Sequence, residues 1–153
     1  MAFLQDSQPD LCLLAKSGGC SVYQLRNESG EGTMTVYEVF PGATILYNDF
    51  HLAYCDSSFE TRQDLLCIDY CREGRMEYAV GNDAFSYVEA GDLKVDRRLK
   101  HKGYFSLPLS HYHGISMCFD LSMIPMELAR LAGDYPLDLS LIHISEPTRH
   151  LRI

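Results

Sequence analysis

Between Arg75 and Val80 the chain alternates strictly, with Met76, Tyr78 and Val80 on one side and Arg75 and Glu77 on the other. A period of two marks a strand with one face in a core and one in water, because successive side chains leave the backbone on opposite sides. Phe85 and Tyr87 carry the apolar face onward, and Leu93 and Val95 repeat it opposite Lys94 and Asp96. Arg72-Glu-Gly74, Gly81-Asn-Asp83 and Gly91-Asp92 supply the breaks. Gly tolerates positive φ there, while Asn and Asp bond their own backbone. Leu65 to Asp96 therefore reads as an antiparallel meander.

The flanking segments have the same character. Leu11 to Ala15 and Ser21 to Leu25 are strand candidates separated by Ser17-Gly18-Gly19, and Asn27 to Gly32 is a loop by composition. Thr33 to Phe40 is a strand stopped by the turn pair Pro41-Gly42. Ala43 to Tyr47 and Phe50 to Cys55 are strands on either side of a bend at Asn48-Asp49, and Asp56 to Asp64 is polar loop. Tyr104 to Leu109 and His111 to Leu121 are the last strands. The latter puts His113, Ile115, Met117 and Phe119 on one face and Tyr112, Ser116 and Asp120 on the other. At Ser122 the period changes. Ile124, Leu128 and Leu131 recur at helical spacing behind a Ser122 cap and Pro125, and Gly133 ends the run. An all-β fold with a short C-terminal helix over Ser122 to Ala132 is expected.

Composition narrows the class. With 153 residues, 46% hydrophobic and 22% charged, the chain can bury a real core and is not disordered in type. A net charge of -8 opposes a grip on polyphosphate, since each phosphate contact wants a Lys or Arg. The positive run Arg97 to Gly103 reads as an exposed loop. No apolar run approaches the ~20 residues that span a bilayer. Met1 to Ser7 lacks the charged start and long apolar stretch of a signal peptide. A cytoplasmic protein with no membrane partner is the expectation. On that footing Cys12, Cys20, Cys55, Cys67, Cys71 and Cys118 read as free thiols rather than disulfides.

The end of the chain is of a different kind. Leu139 to Arg149 (Leu-Ser-Leu-Ile-His-Ile-Ser-Glu-Pro-Thr-Arg) can be written back, codon by codon, as a sequence that resembles the transposon-end adaptor of sequencing libraries. Segments of that origin are set aside before fold reasoning. Native sequence is then expected to end near Asp138, the natural protein to continue beyond it, and His143 and His150 to belong to no site. Taken as native instead, Leu139 to Ile144 would be a short strand followed by a Pro-bearing loop.

Catalytic signatures are sparse. There is no Gly-x-Ser-x-Gly, no P-loop and no dinucleotide fingerprint. Cys67-x-x-x-Cys71 has neither zinc nor redox spacing. Asp69 with Glu73, or Glu77 with Glu89, could be posed as acid and base, but carboxylates on strand exteriors are usually solvated. His111-Tyr112-His113 places two imidazoles on one strand face, as a metal site would need, yet packed or hydrogen-bonded histidines are the plainer reading. No catalytic residue, cofactor or metal is assigned, and the chain is not expected to be an enzyme. Ten tyrosines against seven phenylalanines give a Tyr-heavy interior whose phenols need partners when buried. Tyr70, Tyr78, Tyr87 and His113 are the candidates to line an effector pocket; a filled core of satisfied side chains is the alternative.

Several blocks together resemble the N-terminal domain of AraC-type transcriptional regulators. They are Met34 to Gly42, Tyr47-Asn-Asp-Phe-His51, Ile68-Asp-Tyr-Cys-Arg-Glu-Gly-Arg-Met-Glu77, Gly91-Asp-Leu93 and Leu107-Pro-Leu-Ser-His-Tyr-His-Gly-Ile115, within Gly32 to Asp120. The resemblance implies a cupin-like antiparallel β-barrel or jelly roll over residues 1–121 that senses a small-molecule effector or forms a homodimer. Residues 122–138 would begin a helical linker, with 139–153 set aside. In that family DNA is bound by a C-terminal pair of helix-turn-helix motifs. This chain has none, so DNA would be a partner only through a missing domain. A cupin metal site would also want a Glu shortly after the His pair and a third His on a later strand. Here the next carboxylates are Asp120 and Glu127. A regulatory domain is the expectation; a stand-alone cupin metalloenzyme and a small-metabolite-binding module are the alternatives.

Overall fold

The alternating segments pair into antiparallel ladders, which give each backbone donor and acceptor a partner on a neighbouring strand. The computed structural model describes residues 10–56, 59–81, 84–101, 104–123 and 142–144. Their strands are β1 (Leu11–Ser17), β2 (Cys20–Asn27), β3 (Gly30–Phe40), β4 (Ala43–His51), β5 (Tyr54–Asp56), β6 (Phe59–Gly81), β7 (Ala84–Glu89), β8 (Leu93–His101), β9 (Tyr104–Ser106), β10 (Tyr112–Asp120) and β11 (Ile142–Ile144). The main sheet runs β1-β2-β3-β4-β10-β6-β8-β11, with β7 and β9 on β6 and β5 on β9.

Strand β6 spans 23 residues and belongs to two walls. Its first part pairs with β10 and β8, its last part with β7 and β9. Through it the sheet curls into a half-barrel, and Tyr78 in the last part comes back over Lys94 on β8. Directly paired residues share a face, so the register maps the two sides of the sheet. Val36, Leu46, Ser116, Asp69 and Lys94 form one row across the inner face. Thr35, Tyr47, Ile115, Tyr70 and Leu93 form a row across the outer face. The core fills one end of the interior, with Met34, Val36, Phe50, Leu52, Val88 and Tyr112 at its centre. A smaller cluster of Leu65, Cys67 and Cys118 is joined to it through Leu46.

Several expectations change. The loop at Asn27 to Gly32 shrinks to a two-residue turn. Asn27 Oδ1 accepts from the Ser29 amide (2.9 Å) and hydroxyl (2.7 Å), so one side chain closes the hairpin. Asn48 and Asp49 continue β4 instead of bending it, because β3 and β10 hold them on both sides. Phe59 already belongs to β6, and β8 runs on to His101 where a basic exposed loop was expected. The helix expected from Ser122 lies outside the described residues beyond Met123; Ser122 itself sits in a turn, its hydroxyl donating to Asp120 Oδ1 at 2.6 Å. The tail residues Ile142 to Ile144 pair with Val95 to Leu93 at the end of the sheet order.

The meander also has no break at Arg72 to Gly74. Cys71 pairs with Gly114 and Glu73 with His113, which leaves Arg72 as an extra residue, a β-bulge. One extra residue reverses which parity faces inward. Cys67, Asp69 and Cys71 point in before it, Met76 and Tyr78 after it.

All six cysteines are thiols rather than disulfides in the structure, and the Cys67 sulfur lies 3.1 Å from that of Cys118. Burial pushes the Cys55 and Cys71 thiols up to about 12, with the nearby carboxylate of Asp92 adding to the effect at Cys71. At pH 8 only about one molecule in 10⁴ then carries either thiolate, the reactive form. Native-state maleimide labelling read by mass spectrometry should modify exposed Cys12 and spare Cys55 and Cys71, with all six reacting in denaturant. Labelling of Cys71 as fast as Cys12 would contradict the burial.

Candidate functional site

The inner face carries an unusual amount of charge for the inside of a β-wall. Lys94 is 4% exposed and its ammonium lies 2.8 Å from Asp96 Oδ2 and 3.8 Å from Asp69 Oδ2. The register explains the trio. Asp69 and Lys94 are direct cross-strand partners, and Asp96 is two residues further along β8 on the same face. The ammonium also stands 4.2 Å above the Tyr78 ring, whose face is the negative end of its quadrupole. Phe105 meets Tyr78 edge-on at 5.7 Å and ties that corner to the apolar core. Beside the trio, Asn48 Nδ2 donates a long 3.5 Å hydrogen bond to Ser116 Oγ, both groups buried.

Unscreened charge in such a place costs several kcal/mol per ion unless it is paired. Here a cation, two anions, an amide, a hydroxyl and an aromatic face converge within one stretch of wall. Such a surface can offer donors and acceptors together to a small polar molecule.

The four sequence candidates fall on different sides. Tyr78 belongs to this inner cluster. Tyr70 pairs with Ile115 and Leu93 on the outer face, and His113 pairs with Asp49 and Glu73 there. Tyr87 is placed outside rather than on the inward face: it is 41% exposed, pairs with Glu77 and lies under the Arg75 guanidinium, 4.0 Å from the ring centroid. Phe85, 71% exposed, shares that outer side, and Val88 is the β7 residue that enters the core. Leu93 and Val95 likewise lie opposite the inward pair Lys94 and Asp96, the reverse of the amphipathic reading. The reason is that β8 matches its charged residues to Asp69, so the ion cluster, not the apolar side, sets the phase. Asp69 was weighed only as a solvated carboxylate beside Glu73, and Lys94, Asp96, Asn48 and Ser116 were missed. Each sits at a polar position of an alternating strand and looks solvent-facing until its partner strand is known.

No family model matches the chain, and no curated protein does. Among solved structures, the EutQ protein of Clostridium difficile is 14% identical with a TM-score of 0.41, over 58% of this chain and 64% of that one. A putative ethanolamine utilization protein EutQ of Salmonella typhimurium is 12% identical with a TM-score of 0.43, over 74% of this chain and 96% of that one. The AraC-like transcriptional activator CuxR is 15% identical with a TM-score of 0.41, over 82% of this chain and 42% of that one. The chain thus spans under two thirds of the first EutQ and under half of CuxR. Among the described residues no helix is long and apolar enough to cross a membrane.

Proposed function

We propose that this chain is the cupin-like effector-binding and dimerisation domain of an AraC-type, DNA-binding transcriptional regulator. One observation supports the reading above others. The family-like blocks Tyr47 to His51, Ile68 to Glu77 and Leu107 to Ile115 lie far apart in sequence, yet fall on or lead into β4, β6 and β10. Those strands are neighbours in the sheet. The blocks therefore build one continuous wall, and it is the wall that bears Asn48, Asp69 and Ser116.

In this reading a small polar effector is held at the inner cluster, with Tyr78 and the Asp69–Lys94–Asp96 trio as its surroundings. Its binding shifts the population between arrangements of the sensor and the DNA-binding part, by as much as its affinities for the two differ. The protein acts in the cytoplasm, catalyses nothing itself, and meets DNA only through a domain that follows residue 138. With a net charge of -8 this chain has little to offer a phosphate backbone. In a mobility-shift assay at physiological salt it should leave promoter DNA unretarded, and sequence-specific retention would overturn the proposal. The genomic reading frame, continued past Asp138, should encode about one more domain length, basic and with two helix-turn-helix motifs. A frame that stops there would be equally damaging.

A further inference from the structure

At the rim of the half-barrel, where β4 ends and the chain enters β10, two imidazoles meet on the outer face. His51 and His111 are the next step of the β4–β10 register beyond Phe50 and Tyr112. Their ring centroids are 4.9 Å apart and the Nδ1 atoms 3.4 Å apart. The far side of each ring is also engaged. His51 Nε2 lies 3.0 Å from Asp49 Oδ1, and His111 Nε2 lies 3.3 Å from Glu73 Oε2.

Counting protons shows what this arrangement needs. A neutral imidazole has one N–H, and an ionised carboxylate only accepts. In the tautomer that lets each ring donate to its carboxylate, each Nε2 carries the proton. Both Nδ1 atoms are then bare lone pairs aimed at each other, a repulsive contact unless a cation lies between them. The cation is either an added proton or a metal ion, and the two favour different separations. A proton shared between nitrogens draws them towards ordinary hydrogen-bond length, about 3 Å. Two imidazole nitrogens bound at about 2.0–2.1 Å to one tetrahedral zinc stand about 3.3 Å apart. The separation of 3.4 Å matches the second.

We propose that His51 and His111 bind a divalent transition-metal ion of the zinc class between their Nδ1 atoms. Asp49 and Glu73 are the orienting carboxylates, in the carboxylate–histidine–metal relation that fixes tautomer and ring angle. The surroundings suit a dication. Glu31 pairs with His51 from β3 and adds a third carboxylate to the patch, while Arg72, 3.8 Å from Glu73, offsets one charge. Both backbones are held closely, since a Cβ at Gly30 would overlap the His51 carbonyl and one at Gly74 the His111 carbonyl. Among the described residues no third His, Cys, Asp or Glu joins the pair, so the two imidazoles are the whole protein contribution and water would have to complete the coordination. The site lies on the outer side of the wall, separate from the inner cluster, and stands or falls independently of the regulatory reading.

Calorimetric titration of the full chain with zinc tests it. One saturable equivalent is expected to weaken about tenfold or more in both His51→Ala and His111→Ala, and by about 10–100-fold in Asp49→Asn, whose carboxylate only orients the ligand. His113→Ala, on the same face but outside the pair, should leave binding unchanged. All these side chains lie at the surface or rim, so a destabilised fold would not account for the losses. Saturable binding of undiminished affinity in either histidine variant, or no saturable zinc binding in the parent chain, overturns the site. The latter result leaves a shared proton as the bridging cation.

Discussion

Replacing Lys94 with methionine should remove about 3–5 kcal/mol of unfolding free energy, the cost of losing one member of a buried ion pair. The side chain is nearly isosteric, so packing changes little and the loss is electrostatic. With the ammonium gone, Asp69 and Asp96 remain on one inner surface, Asp69 almost wholly buried, and both have lost the Lys94 cation they share. Out of a typical domain stability of about 5–15 kcal/mol that is a large share. Urea unfolding of the parent and variant reads it directly, provided the slope m is unchanged. Asp96→Asn should cost less, because Asp96 is the more exposed acid and Lys94 keeps Asp69. Neutralising the trio together (Asp69→Asn, Lys94→Met, Asp96→Asn) should recover part of the loss, since no unpaired charge is then left inside. A loss under about 1 kcal/mol in Lys94→Met, the value of an exposed pair, would mean that this interior is open to water.

The same trio shows how far the sequence could be read. Alternation identified the strands because burial on one side alone produces it, and Arg75, Met76, Glu77 and Tyr78 were assigned to the right sides. It could not identify the inner side of β8. Leu93-Lys94-Val95-Asp96 is as good an amphipathic strand facing either way, and only the register with Asp69 decides it. The outer face adds to the ambiguity by carrying Tyr47, Ile115, Tyr70 and Leu93 in one row, so both sides of the central strands hold apolar groups. The bulge at Arg72 then reverses the parity within a single strand, which a uniform period cannot express. The His51 and His111 pair was illegible for a simpler reason: sixty residues separate them, and the local motif His111-x-His113 pointed to the wrong partner.

Gly74 makes that bulge possible, and alanine there should cost about 3 kcal/mol or more. Two effects add. At φ +86° an L side chain sits in a region that costs of order 1–3 kcal/mol. The new Cβ would also overlap the carbonyl of His111, which is backbone and cannot swing away. The strand around it is fixed from the other side as well, because the Ala90 amide donates to the Gly74 carbonyl at 3.1 Å and the Gly91 amide to that of Cys71 at 2.9 Å. Gly18→Ala separates the two effects. Its φ of +55° carries similar backbone strain, but a Cβ there meets nothing within 4 Å, so only about 1 kcal/mol should be lost. Denaturant midpoints of the two variants, measured side by side, give the difference that belongs to the close approach of β6 to the start of β10. Equal losses would mean that β6 can move off His111, and a backbone free to do that could not hold Glu73 against the imidazole it orients.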